Sequence, residues 1–155
     1  MDPNQSLQDQ FAPSLICFGC GPANPDGLQI KSFVQDERVV CSFQPGEHHQ
    51  AYTGMINGGI IGALLDCHMN WTAAWKLMVV NELETPPCTV TAEYKVSFKA
   101  PTPSNTELTL EAWVTENSKR KAVIEASLSA NGTVTATGTG TFVAVKPGHP
   151  AYHRW

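Results

Sequence analysis

One acidic residue, Asp66, lies in the middle of a long apolar stretch, GMINGGIIGALLDCHMNWTAAW, at residues 54–75. Burying an ionised carboxylate is costly unless it is paired or protonated, so an acid at this position needs a reason. Small residues lie one helical turn away, and Asn70 at i+4 could hydrogen-bond Asp66 or a water that Asp66 holds. This pattern indicates a carboxylate beside a channel, positioned to activate water. The structural alternative is that Asp66 and Asn70 satisfy one another, or a backbone group, at a subunit contact.

A second chemical feature, Asn57-Gly58-Gly59, directly precedes the apolar run. The first amides of a helix lack intrahelical partners and carry the positive end of its dipole, and glycine lets a ligand approach them. The amides of Gly58 or Gly59 therefore form an oxyanion-type donor site, where each donor can contribute roughly 3 kcal/mol to catalysis. With a carboxylate, they make a minimal site for acyl transfer. The same residues also fit an ordinary helix start with Asn57 as its N-cap.

The elements that must position these groups are a long helix and a sheet. From Gly58 to about Met78 the pattern predicts one helix of roughly 31 Å, apolar on most faces. Two short strands precede it, in LQIKSFV and ERVVCSF, and four alternating runs follow it. The residues predicted on the inner face are Ala92, Tyr94, Val96 and Phe98; Leu108, Leu110, Ala112 and Val114; Ala122, Ile124, Ala126 and Leu128; and Val134, Ala136, Gly138, Gly140 and Phe142. We therefore expect an α+β fold, with a central helix wrapped by a curved antiparallel sheet of about five or six strands.

The length of the chain limits the number of domains, and its net charge limits the classes of partner. The chain has 155 residues, 42% hydrophobic and 15% charged, which fits one domain. We place that domain at 17–145, between a polar N-terminal leader at 1–16 and a C-terminal tail at 146–155. A net charge of −4 gives no broad attraction for nucleic acid or anionic lipid, so the expected partner is a small molecule. With no membrane segment or signal peptide and five scattered cysteines, a cytoplasmic protein with reduced thiols is expected.

Cys17 and Cys20 form a C-x-x-C pair within the turn-rich segment CFGCGPANPDGLQI. Zinc usually needs four ligands, and no second pair accompanies this one, so no metal site is expected. The pair is expected to pack a loop over the sheet edge or near the ligand. Cys67 and His68 adjoin Asp66, but neighbouring helix residues diverge by about 100°, which argues against a Cys-His-Asp triad. We expect His68 to be a satisfied core residue.

The stretch GMINGGIIGALLDCHMNWTAAW resembles the hotdog-fold acyl-CoA thioesterases, particularly the PaaI-like branch of the phenylacetate pathway. The hallmark of that branch is a G-x-x-H-G-G segment with an acidic residue nine positions after the histidine. Asn57 and Asp66 have that spacing. CFGCGPANPDGLQI and TAEYKVSFKAPTP also resemble its flanking segments, so the resemblance runs from about Cys17 to Val145. It implies a hotdog fold and the hydrolysis of an acyl-CoA thioester, with no cofactor because coenzyme A is part of the substrate.

The resemblance also implies roles for two residues. The Gly58 amide would polarise the thioester carbonyl, and Asp66 would act as general base or nucleophile. In the family these groups come from opposite subunits, so a homodimer is implied, with two antiparallel helices beneath one continuous sheet. Such dimers often pair into a dimer of dimers.

The sequence departs from the family pattern at two positions. Asn57 stands where histidine is usual, which keeps a hydrogen-bonding group and removes a titratable one. Ala51 stands where some relatives carry asparagine. His49 and Gln50, beside Ala51, are the candidates to compensate in binding and orienting the substrate.

Lys99 and Arg120 are the predicted contacts for the phosphates of coenzyme A, with a solvated surface as the alternative. Two other functions remain open. A hydratase or dehydratase on the same fold would pair Asp66 with His49 across the interface. A non-catalytic acyl-CoA or ligand-binding protein would account for the absent histidine at position 57. No nucleic-acid or membrane partner is expected.

Overall fold

The computed structural model covers residues 1–155 and contains two α-helices, one short 3-10 helix and eight strands. In chain order these are α1 (Leu7–Phe11), β1 (Phe33–Gln35), β2 (Arg38–Phe43), the 3-10 helix (Glu47–His49), β3 (Gln50–Tyr52), β4 (Met55–Ile56), α2 (Gly58–Val80), β5 (Thr89–Phe98), β6 (Leu108–Asn117), β7 (Lys121–Ala130) and β8 (Thr133–Ala144). The two short strands, the long helix and the four later strands that the sequence predicts are all present. The segment CFGCGPANPDGLQI forms turns and no strand, also as predicted.

Helix α2 is the centre of the fold and ends two residues beyond the predicted Met78. The helix is apolar on most faces because it is covered on several sides. Its fully buried side chains include Leu64, Leu65, Met69, Trp71 and Leu77. None of the helices combines the length and apolarity that crossing a membrane requires.

Six strands form one antiparallel sheet in the order β1-β2-β6-β7-β8-β5, which confirms the predicted architecture. The inner faces of β6 and β7 are those that the alternation predicts, since Leu108, Leu110, Ile124 and Leu128 are fully buried. In β8 the prediction holds from Ala136 onward, whereas Val134 at the strand's start is 42% exposed. The strands β3 and β4 form a separate small ribbon just before α2.

Strand β5 departs from the predicted alternation. It lies at the sheet edge, pairs with β8, and carries a register shift directly after Thr91. Before this shift, Thr91 faces α2. After it, Tyr94 and Phe98 face α2, and Ala92 at the shift is exposed. A β-bulge inserts one residue and so reverses the alternation. The prediction that Ala92 lies on the covered face was therefore wrong.

Residues 1–16 and 146–155, predicted to flank the domain, both pack against it. The buried apolar residues of the first segment are Leu7, Ala12 and Leu15. In the second segment, the Trp155 ring stacks on Trp71 with centroids 4.6 Å apart, and its indole N–H donates to the Pro86 carbonyl at 3.0 Å. The segment expected to be a polar leader thus contributes to the core.

Candidate active site

One face of α2 carries Gly58, Gly62, Asp66 and Asn70, at intervals of four residues. Residues at this spacing lie above one another on a single face of a helix. Strand β5 runs along this face and supplies one neighbour to each residue. A Cβ at Gly58 would lie 3.4 Å from the Phe98 ring, a Cβ at Gly62 would lie 3.3 Å from the Tyr94 hydroxyl, and the hydroxyls of Thr91 and Thr89 donate to Asp66 and Asn70 respectively.

The Asp66 carboxylate is half-buried, and Thr91 Oγ1 donates to its Oδ1 at 2.7 Å. Burial raises the pKa of Asp66 above its usual range, and the Thr91 hydrogen bond opposes that effect. Among nearby charges, the Cys17 sulphur raises the pKa further and the Arg154 guanidinium lowers it. The side chain is neither sealed in the core nor bonded to its own backbone.

Asn70 is buried, and its side-chain oxygen accepts a hydrogen bond from Thr89. It makes no hydrogen bond to Asp66, so the alternative in which these two side chains satisfy one another is not what the structure contains. Its side-chain nitrogen donates to no atom of the chain. This nitrogen is also not fully buried, so it is accessible. That nitrogen can therefore serve a water or a ligand.

Asn57 caps α2, as its residue type predicts. Its Oδ1 accepts from the amides of Gly59 at 2.7 Å and Ile60 at 3.3 Å, and its carbonyl accepts from the Ile61 amide at 3.1 Å. The Gly58 amide is left as the one amide of the first turn without a partner in the chain. Of the two donors predicted from the sequence, Gly59 is occupied by the cap and Gly58 is free.

A cavity of about 470 Å³ opens beside the Gly58 amide. This volume lies within the range of small-molecule sites. Its walls are mainly apolar and are formed by Ala51, Tyr52, Ile56, Ile61, Phe98, Ala100, Pro101 and Thr102. Lys99, one of the two predicted phosphate contacts, is the one basic residue of the lining.

His49 and Gln50 shape the chain that leads into α2. His49 Nδ1 accepts from the Gly46 amide at 2.9 Å, and the His49 carbonyl accepts from the Asn57 amide at 2.9 Å. Gln50 Oε1 accepts from the Gly54 amide at 2.6 Å. Both side chains are therefore bonded to backbone, and neither lines the cavity.

Arg120, the other predicted phosphate contact, lies away from the cavity. Its Nη2 donates to the Ala144 carbonyl at 2.9 Å, and Ala144 pairs with Thr89 at the start of β5. Lys99 follows the last residue of the same strand. One chain therefore keeps Lys99 and Arg120 at opposite ends of a ten-residue strand, about 30 Å long at 3.4 Å per residue.

His68 points away from Asp66 and is fully buried, as predicted for a core histidine. Its Nε2 donates to the Val39 carbonyl at 3.0 Å, and its Nδ1 accepts from the Ser32 hydroxyl at 2.9 Å. This tautomer follows because a carbonyl can only accept. Burial lowers the pKa of His68 to about 4, so the imidazole is neutral at pH 7. A Cys-His-Asp triad is excluded.

The sequence did not reveal three neighbours of Asp66. The alternation of inner residues Ala92, Tyr94, Val96 and Phe98 predicts that Thr91 lies on the outer face, and no local pattern indicates the bulge that turns it inward. Cys17 and Arg154 come from opposite ends of the chain, and both lie close enough to shift the pKa of Asp66. Such contacts depend on tertiary structure and leave no local pattern.

A long helix wrapped by an antiparallel sheet, with a free amide at the helix start, defines a protein of the hotdog class. The chain belongs to the thioesterase superfamily, whose family model matches residues 53–137. That span begins just before the free amide and ends within β8. The family predicted from the sequence is confirmed.

Solved structures agree with this assignment. A thioesterase superfamily protein from Shewanella loihica PV-4 is 31% identical, with 81% of this chain and 98% of that chain covered and a TM-score of 0.65. The E. coli PaaI protein from the phenylacetic acid degradation operon is 17% identical, with 77% and 81% covered and a TM-score of 0.63. Zebrafish thioesterase superfamily member 2 is 18% identical, with 79% and 90% covered and a TM-score of 0.63. The last two show a shared fold. No curated protein matched the sequence.

Proposed function

We propose that the protein hydrolyses an acyl-CoA thioester to the free acid and coenzyme A, in a site formed between two copies of the chain. The observation that carries the proposal is the unpaired Gly58 amide, which borders a cavity and shares a helix face with Asp66. Membership of the thioesterase superfamily supports the reaction class. No cofactor is needed, because coenzyme A is part of the substrate.

The spacing along α2 supports a dimeric site. Gly58 and Asp66 are eight residues apart, which is about 12 Å along a helix axis. That is too far for both groups to contact one thioester within a single chain. Gly62 lies midway between them, and two antiparallel α2 helices that cross at Gly62 would bring Gly58 of each chain opposite Asp66 of the other.

In the proposed reaction, the Gly58 amide donates to the thioester carbonyl oxygen and stabilises the negative charge that develops there. Asp66 of the partner subunit takes a proton from a water that attacks the carbonyl carbon. Alternatively, Asp66 attacks that carbon itself and forms a mixed anhydride, which water then hydrolyses to the free acid and the regenerated carboxylate. The carbon–sulphur bond then breaks, and coenzyme A leaves as a thiolate that takes up a proton. We assign the binding of the water to the free Asn70 nitrogen and the binding of a coenzyme A phosphate to Lys99, which lines the cavity.

The decisive experiment measures thiol release from a panel of acyl-CoA esters. We expect turnover of at least one ester, and Asp66→Asn should reduce that turnover at least about 100-fold because it removes the general base and keeps the side-chain shape. The matched control is Glu116→Gln, at an exposed carboxylate of β6 that should leave turnover unchanged. Wild-type turnover by Asp66→Asn would remove Asp66 from the mechanism.

Two other outcomes would replace the proposal. Hydration of an enoyl-CoA without thiol release would favour a hydratase, although His49, its expected second group, is bonded to the Gly46 amide. Tight binding of acyl-CoA esters without turnover of any of them would favour a binding protein.

A further inference from the structure

Three cysteine thiols meet beside α2, two from the N-terminal loop and one from the helix. The sulphurs of Cys17, Cys20 and Cys67 all lie within 4.8 Å of one another, and none of the three forms a disulfide. The Sγ atoms of Cys17 and Cys67 are 3.8 Å apart. The fold thus adds a third thiol to the C-x-x-C pair of the sequence. The expectation of no metal site was based on that pair alone.

The loop is shaped to bring these thiols together. A Cβ at Gly19 would lie 2.4 Å from Cys67 Sγ, so a larger residue there would push the loop off the helix. A Cβ at Gly21 would lie 2.4 Å from the Cys17 nitrogen, and the Gly21 amide donates to the Cys17 carbonyl at 2.8 Å. Gly19 therefore lets the loop pack closely on Cys67 of α2, and Gly21 is required by the tight turn that carries the two cysteines.

The surroundings of Cys17 favour a negatively charged sulphur at that position. The thiols of Cys20 and Cys67 lower the pKa of Cys17 by hydrogen bonding to its thiolate, and the amides of Cys20 and Gly19 add to this effect. The pKa values of Cys20 and Cys67 are raised, because each of these thiols serves as a donor to Cys17. The Trp71 indole N–H also donates to Cys20 Sγ, at 3.3 Å. Hydrogen-bond donors directed at sulphur are what the outer shell of a metal–thiolate site supplies.

We propose that Cys17, Cys20 and Cys67 bind a thiophilic divalent cation of the zinc type. Tetrahedral zinc with bonds of about 2.3 Å to sulphur separates its sulphur ligands by about 3.8 Å. The Cys17–Cys67 pair already has that separation. Solvent supplies the fourth ligand, since Cys17 and Cys67 are only half-buried. Binding releases thiol protons to solvent, because metal ligands are thiolates.

The ion would tie the N-terminal loop to α2, next to Asp66. The inference does not rest on thioester hydrolysis, because a chain without that activity would still hold the three thiols together. The proposed role of the ion is structural, and the reaction proposed above has no step that uses the ion.

Cobalt is the probe for this site, because thiolate-bound Co²⁺ absorbs by charge transfer in the near ultraviolet and shows tetrahedral bands in the visible. We expect the reduced, metal-free full chain to develop both signals, to saturate at one Co²⁺ per chain, and to lose them on addition of Zn²⁺. The variant Cys67→Ser should lose most of the charge-transfer intensity and bind at least about 10-fold more weakly. The matched control is Cys88→Ser, a half-buried thiol outside the cluster, which should titrate like the wild type.

Circular dichroism of each metal-free variant establishes that it is folded. If Cys67→Ser does not fold, Cys17→Ser tests the same cluster from the loop and should show the same loss. Absence of the cobalt signals in the folded, reduced wild type would overturn the proposal. Signals of unchanged intensity and affinity in a folded Cys67→Ser or Cys17→Ser variant would overturn it as well.

Discussion

At the level of single residues, the two oxygens of the Asp66 carboxylate have different surroundings. The Thr91 hydroxyl donates to Oδ1, whereas no group of the chain donates to Oδ2. One oxygen is thus fixed in orientation, and the other can accept a proton from water. Thr91 is therefore a positioning residue for the proposed base.

Replacing Thr91 by Val should remove this hydrogen bond with little change in side-chain volume. Hydrogen bonds to charged groups contribute about 1.5–3 kcal/mol, so we expect kcat for thioester hydrolysis to fall at least about 10-fold. KM should change little, because Thr91 does not line the cavity. Thr91→Ser keeps the hydroxyl and should retain most of the activity. Equal kcat values for the Val and Ser variants would show that the hydroxyl does not position the base.

Ser32 connects the N-terminal segment to the core histidine. Its hydroxyl accepts from Gln8 Nε2 at 3.0 Å and donates to His68 Nδ1 at 2.9 Å. Ser32→Ala should lower the free energy of unfolding by about 1–3 kcal/mol, since it leaves two buried polar atoms without a partner. Urea denaturation measures this loss. Ser42→Ala, at an exposed serine of β2, should change the midpoint little, and an equal shift in both variants would argue against the network.

At the level of the elements, the sequence predicts what local interactions determine. The start of α2 follows from Asn57, whose side chain caps the helix, and the β7–β8 hairpin follows from Asn131 and Gly132, both with positive φ. The bulge in β5 could not be predicted, because it depends on how that strand pairs with β8. The bulge places Thr91 on Asp66, so the sequence revealed the carboxylate and not its partner.

The start of α2 allows the proposed oxyanion donor to be removed without disturbing the helix. Proline is favoured at the first helical position, and Asn57, with φ −63° and ψ 134°, has the conformation that a following proline requires. Gly58→Pro should therefore fold normally and lose about 100-fold in kcat, because the amide N–H is gone. Gly58→Ala keeps the N–H and is the matched control, since its Cβ would make an ordinary contact with Phe98. Wild-type kcat in a folded Gly58→Pro variant would contradict the role of this amide.

At the level of the whole molecule, each chain of the proposed dimer contributes the Gly58 amide to one site and the Asp66 carboxylate to the other. The Gly58 amide and the cavity lie about one helical turn before Gly62, and Asp66 lies about one turn after it. Tyr94 and Phe98, next to this face on the edge strand, are 45% and 58% exposed. Adjacent exposed aromatic side chains are typical of surfaces that a partner covers. The 12 Å between Gly58 and Asp66 along α2 therefore favours the proposed completion of each site by a second chain.

Mixing two inactive variants tests the shared site directly. Gly58→Pro and Asp66→Asn should each be inactive as homodimers, but a heterodimer contains one site with an intact Gly58 from the Asp66→Asn subunit and an intact Asp66 from the Gly58→Pro subunit. Random exchange of subunits makes half of the dimers mixed, each with one of two sites restored, so the mixture should recover about a quarter of wild-type turnover. The measurement is thiol release after unfolding and refolding the variants together, with each variant refolded alone as the control. A mixture that remains inactive while native mass spectrometry shows mixed dimers would contradict a site shared between subunits, although the 12 Å spacing along the helix favours one.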